Sequence, residues 1–255
     1  MRAVLVIAKN TYREIIRDRI LYGIVVFALL LLGLSIALGE LSFAEQARIS
    51  ADFGFTGIQL GISVLAIFVG SSLVAREIDK QTILTLLARP LTRSQFLLGK
   101  FLGLSGVMVT VLIGLAMVLA GLVSYLELAL KLNFLVAMLG IFIEALLLLS
   151  IAMFFGTFAR PMMTVIFSVS LFLLGHWVSS LAFFVEKSPS GGFKLMGQVI
   201  GYVVPNLERF NRRSLPVYDT DLPMTELFSA VGYGAGWLLL ILGATSLIFQ
   251  KRDFV

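Results

Sequence analysis

The stretch FLGLSGVMVTVLIGLAMVLAGLVSYL, residues 101–126, runs for 26 residues without one charged side chain. A helix rises about 1.5 Å per residue and needs roughly 20 apolar residues to cross about 30 Å of hydrocarbon. The stretch is long enough to span a bilayer. It is too long and too evenly apolar for an outer-membrane strand, which alternates over about 10 residues. Outward from it the same pattern recurs. Residues 20–39, 53–75, 161–185 and 227–250 are also free of charge, and 132–159 holds a single one, Glu144. The fold expected is an all-α membrane protein with six transmembrane helices.

Composition supports that class. Of the 255 residues 59% are apolar and 14% charged, against about 45–50% and about 25% in soluble domains. The net charge of +5 fits basic loops beside a membrane better than a nucleic-acid partner. The absence of cysteine removes disulfides, zinc-thiolate sites and cysteine nucleophiles. A single histidine, His176, removes a multi-histidine metal centre within one chain, and no catalytic constellation stands out.

Lys and Arg set the orientation. Segments 1–19 and 76–100, with Arg160, Lys251 and Arg252, carry 13 of the 20 basic residues. The short loops on the other side hold Arg48 and Lys131, and the five bases of loop 186–226 are matched by five acids. Both termini are therefore expected on the cytoplasmic side. The apolar run 3–8 is too short for the core of a cleavable leader. Within 1–19, Val4, Ala8, Tyr12, Ile15 and Ile16 recur at helical spacing, and Lys9, Arg13 and Arg17 form a basic stripe. That pattern predicts an amphipathic helix lying in the membrane plane; the plainer alternative is a charged anchor before the first span.

Residues 76–100, REIDKQTILTLLARPLTRSQFLLGK, connect the second and third spans. Ile78, Ile83, Leu86 and Leu87 can share one face of a short helix that Pro90 ends. Thr92 and Gln95 have capping-box spacing, which predicts a new helix running into the third span. An apolar ridge on such a hairpin marks an interface, unless the segment is only a tight basic connector.

This loop resembles the first cytoplasmic loop of ABC-2-type transporter permeases. The residues carrying the likeness are Glu77, Thr82, Leu86-Leu87, Pro90, Thr92-Arg93 and Gly99-Lys100, with Gln81 where many members have glycine. The in-plane N-terminal helix, the six spans, the long loop before the last span and the basic C-terminal end extend it over the chain. The resemblance implies a type V, ABC-2 exporter-like permease, half of a transporter, paired with a second permease copy. Its coupling helix would dock on a separate ABC ATPase subunit through Arg76, Glu77, Thr82, Ile83, Leu86, Leu87, Pro90 and Arg93. ATP and Mg would be held by that partner, because no G-x-x-x-x-G-K-[ST] phosphate cradle occurs here. The implied location is an inner, cytoplasmic membrane.

Two polar residues lie inside spans. A carboxylate near mid-bilayer costs about 3 kcal/mol even on the mild insertion scale, so Glu144 must be neutralised or face a cavity or partner. It is a candidate substrate-cavity or proton site; otherwise it is a protonated acid bonded to a neighbouring helix. His176 could pair with it or with loop 186–226, or satisfy a local hydrogen bond near the interface, where Trp177 is at home. The pairs Gly57/Gly61, Gly99/Gly103, Gly197/Gly201 and Gly232/Gly236 read as helix-packing positions.

In loop 186–226, residues Leu195, Met196, Val199, Ile200, Val203 and Val204 fall on one helical face, predicting an interfacial or re-entrant helix too short to span. Pro205-Asn206-Leu207 and Arg209-Phe210-Asn211 resemble an element of one ABC-2 branch, which includes the permease of the nitrous-oxide-reductase maturation system. Arg209, Arg212 and Arg213 are candidate contacts for lipid, an anionic substrate or an extracytoplasmic partner, or else a solvated rim. The expected function is export or extraction of an amphipathic substrate, or force transmission across the membrane. The alternative is a secondary transporter using Glu144, although no internal repeat is visible. An intramembrane serine hydrolase would need a G-x-S-x-G element, and Gly61-Ile62-Ser63-Val64-Leu65 lacks the closing glycine.

Overall fold

The computed structural model describes residues 2–41, 45–79, 92–128, 130–188, 190–220 and 223–251, without the side chains of 73–79 and 251. All regular elements among the described residues are helical: α1 (Arg2–Ile16), α2 (Arg19–Glu40), α3 (Gln46–Asp79), α4 (Arg93–Tyr125), α5 (Leu132–Gly156), α6 (Pro161–Lys187), α7 (Gly191–Val203), a 3-10 turn (Leu207–Phe210), α8 (Ser214–Tyr218) and α9 (Met224–Lys251). Six of these, α2 to α6 and α9, are long and apolar enough to cross a membrane. In lipid every backbone N–H and C=O must be satisfied within the segment, which a helix does.

The helices are not equivalent. Within their most apolar windows α3 is 72% and α5 67% buried, whereas α6 and α9 are each 17% buried. The first pair forms the centre of the bundle. In α5 all side chains from Leu147 to Met153 are buried, as a helix surrounded by others must be. Lipid tails are as apolar as leucine, so close packing rather than water exclusion holds such helices together. Glycines supply the close approach. On α3, a Cβ at Gly57 or Gly61 would press on Leu31 or Ala28 of α2 at 3.0 and 2.6 Å.

α1 lies along α4. Thr11 and Ile15 are its buried positions, and Ile7 and Thr11 fit over Gly99 and Gly103 of α4. Tyr12 Oη shares a 3.0 Å hydrogen bond with Thr110 Oγ1. The apolar face of α1 therefore packs on protein, while the basic stripe Lys9, Arg13 and Arg17 stays exposed and Leu5 and Val6 point outward. The capping box predicted at the start of the third span is present: Gln95 N donates to Thr92 Oγ1, and Thr92 N donates to Gln95 Oε1, both at 3.3 Å. The spans run longer than the charge-free windows at several ends; α4 opens at Arg93 and α3 at Gln46.

Loop 186–226 departs most from expectation. α7 forms, but no residue in it is buried; Leu195, Met196, Val199 and Val203 face outward, and Gly197 sits against Val185 of α6. The next segment turns into the bundle instead of forming a solvated rim. Leu207 and Phe210 are 0% and 1% exposed. Their seat is built from three glycines on three helices. A Cβ at Gly140 of α5 would overlap the Phe210 carbonyl, one at Gly175 of α6 would meet Leu207 Cγ at 2.7 Å, and one at Gly234 of α9 would lie 3.2 Å from the Phe210 ring. Tyr233 Oη accepts a 2.8 Å hydrogen bond from Asn206 N, fixing the entry to this plug.

Candidate functional site

Directly beside the plug, α3, α5 and α6 bring three polar side chains together. Gly140 lies one turn before Glu144, and Gly175 immediately precedes His176, so the glycine seat and the polar cluster share helices. Glu144 is 1% exposed. Gln59 Nε2 donates to Glu144 Oε2 at 2.7 Å and lies 3.2 Å from His176 Nε2. His176 Nε2 is 3.5 Å from the other carboxyl oxygen, Oε1. Glu144 and His176, whose pairing the sequence left open, lie side by side, and Gln59 bridges them.

Hydrogen-bond roles follow from the partners. His176 Nδ1 is 3.0 Å from the carbonyl of Phe172. A carbonyl only accepts, so Nδ1 carries the hydrogen and a neutral ring keeps its lone pair on Nε2. One hydrogen of the Gln59 amide reaches Glu144 and the other reaches that lone pair. Glu144 Oε1 then has no hydrogen-bond donor in the structure.

Gln59 belongs to a polar stripe. Asp52, Thr56, Gln59 and Ser63 lie four, three and four residues apart on α3, which places them on one helical face. At its outer end Arg213 Nε approaches Asp52 Oδ1 at 3.3 Å, and Arg213 also donates to Thr56 Oγ1. Gln59, Asp52 and Thr56 were not singled out from the sequence, although their spacing is legible there.

The three arginines of the loop do not form one basic patch. Arg213 turns inward to α3, Arg212 approaches Glu226 Oε2 at 3.4 Å, and Arg209 lies over the Tyr233 ring at 4.7 Å. Each is engaged within the chain. A turn sends successive side chains in different directions, so neighbours in sequence diverge in space.

The coupling-loop residues divide. Thr82, Ile83, Leu86, Leu87 and Pro90 lie outside the described residues; Arg76 and Glu77 lie on the α3 backbone with their side chains outside them. Arg93 donates to the carbonyls of Phe249 and Gln250, at 3.1 and 2.9 Å, and so ties the start of α4 to the end of α9. Ser94 and Ser246 hydroxyls meet at 2.9 Å, and the Phe96 and Phe249 rings stack. Lys100, 6% exposed, faces Glu14 of α1 at 3.8 Å.

A cleft of about 460 Å³ opens between α5, α6 and α9, lined by Phe154, Phe155, Phe167, Trp237, Leu240 and Ala244 among others. That size falls within the range of about 300–1,000 Å³ common for small-ligand pockets. Glu144, Gln59 and His176 do not line it, so the polar cluster and the apolar cleft are separate features. Among the described residues no three His, Cys, Asp or Glu side chains group as a metal centre would.

A search of curated proteins finds no match to the chain. The model of one family, described as ABC-2 family transporter protein, matches residues 5–254. The match is to the family at large and does not single out the branch that the Pro205–Asn211 element resembles.

Proposed function

Because the chain belongs to the ABC-2 family of transporter proteins, we propose that it is one membrane half of an exporter driven by a separate ATPase dimer. The family implies a transmembrane component paired with an ABC ATPase. With six apolar helices, it is a multi-pass membrane protein. The observation that carries the proposal is a family match over nearly the whole chain, on a bundle with six helices able to span a membrane.

In this reading two copies pair, both termini face the cytoplasm of an inner membrane, and residues 76–100 dock on the ATPase. ATP and Mg are bound by the ATPase, not by this chain. The apolar cleft favours an amphipathic cargo; force transmission to an external partner is the variant in which nothing is carried. The likeness of Pro205–Asn211 to the nitrous-oxide-reductase maturation branch rests on that element alone. Arg93 supports a coupling role for its end of the bundle, since it links the docking segment to the last span.

Tagged chain purified from native membranes in mild detergent should bring down a stoichiometric P-loop ATPase with vanadate-sensitive hydrolysis. Replacing Leu86 and Leu87 with Asp places two charges on the docking ridge. That variant should still insert, and should lose the ATPase by at least about tenfold, since each desolvated unpaired charge costs several kcal/mol. Retention of the ATPase by the double variant would refute the docking assignment. A chain that purifies alone without hydrolysis would replace the ABC reading with an ion-coupled carrier.

A further inference from the structure

We propose that Glu144 and His176 together form a binding site for one proton, loaded through the imidazole of His176. The proposal rests on the geometry of the cluster and holds whether or not ATP drives the chain.

Three observations converge. The first is the orphaned oxygen: Glu144 Oε1 is buried without a hydrogen-bond donor, with His176 Nε2 3.5 Å away and the Ser63 hydroxyl also acting on the carboxyl group. Buried polar atoms in native proteins are nearly always paired. The second is competition for Nε2. Its single lone pair is taken by the Gln59 amide at 3.2 Å, so the ring serves either Gln59 as acceptor or Glu144 as donor, and a proton decides which. The third is the gradient of exposure. The His176 side chain is 20% exposed and that of Glu144 1%. The imidazole can reach the surroundings and the carboxyl cannot.

The step balances simply. A proton adds to the Nε2 lone pair, and the Gln59 hydrogen that occupied it is displaced. The new Nε2–H points at Glu144 Oε1 and supplies the missing donor. No covalent bond other than N–H forms, and departure of the proton reverses the sequence. The pair passes from one negative charge to none, the state that is less costly to bury.

The charges facing the pair leave this role to the proton. On α3 the nearest carboxylate, Asp52, is engaged by Arg213. From the plug segment Glu208 and Arg213 act on Glu144 with opposite signs. On α9, Glu226 is engaged by Arg212, and Tyr233 by Asn206 and Arg209. Within α5 and α6 the described spans add no other ionisable side chain near the pair; Glu186 and Lys187 lie about three turns beyond His176.

His176 is the only histidine in the chain, so the full-length protein labelled with 15N-histidine, carrying a histidine-free tag and placed in lipid nanodiscs, reports one imidazole. The Nε2 resonance should shift in a single step as the pH is lowered. In Glu144→Gln that step should move to at least about tenfold higher proton concentration. In Gln59→Leu, which frees the lone pair and removes the bond to Oε2, the step should move to at least about tenfold lower proton concentration. Displacements in opposite directions separate a proton site from general loosening, and Gln59→Leu carries the test alone should Glu144→Gln not fold. Absence of a step in the wild type, or a step at the same pH in the variants, overturns the proposal.

Discussion

Replacing Gly140 with Ala is expected to lift residues 205–213 out of the bundle. The added methyl overlaps the carbonyl oxygen of Phe210, and a carbonyl in a turn cannot rotate aside as a side-chain tip can. Overpacking of this kind costs about 1–3 kcal/mol, or roughly 5–150-fold in the population of the displaced state. The chain has no cysteine, so Leu207→Cys introduces a single thiol at a site that is 0% exposed. Its reaction with a water-soluble maleimide should be slow in the otherwise native protein and faster by that factor with Gly140→Ala. Gly236→Ala serves as control, because its added methyl meets nothing within 4 Å. Equal labelling rates in the three proteins would show that the glycine seat does not hold the plug.

The second large effect is expected at the other end of the molecule. Gly103→Leu drives a branched side chain into α1, where even a bare Cβ would lie 2.6 Å from the Ala8 carbonyl and 2.7 Å from Thr11 Cβ. Both helices are regular there, so α1 must leave. Its departure breaks the Tyr12–Thr110 hydrogen bond and separates Glu14 from Lys100. Limited trypsin digestion at Arg13 of α1 and at Arg17 just after it, both exposed, should accelerate by at least about tenfold, because overpacking costs about 1–3 kcal/mol before the lost pair is added. Unchanged digestion would mean that α1 is held by something other than the glycine seam.

Much of the architecture is legible in the sequence for one reason. Charges are costly in hydrocarbon, so their absence over more than 20 residues marks a span directly. The capping box at Thr92 is equally local, since two side chains and two backbone amides within four residues complete it. Glu144 stands out as the sole charge in its window. Gln59 does not, because an amide carries no charge and the apolar count passes over it; Asp52 sits just before the window of the same helix. The plug is harder still. Its seat is assembled from Gly140, Gly175 and Gly234, which belong to three helices and have no common spacing. Among 23 glycines nothing local distinguishes these three. Gly232 and Gly236, which do have packing-motif spacing, meet nothing within 4 Å. Arg209, Arg212 and Arg213 read as one patch only while the chain is viewed as a line.

α9 meets both halves of the molecule. Near one end Phe249 and Gln250 are bound by Arg93, and toward the other Tyr233 and Gly234 hold the entry and floor of the plug. Some 16 residues separate the two attachments, about 24 Å of continuous helix. A helix bends more readily than it stretches or compresses along its axis. α9 is therefore a tie-rod: one continuous helix fastens the start of α4 at one end to the plug at the other.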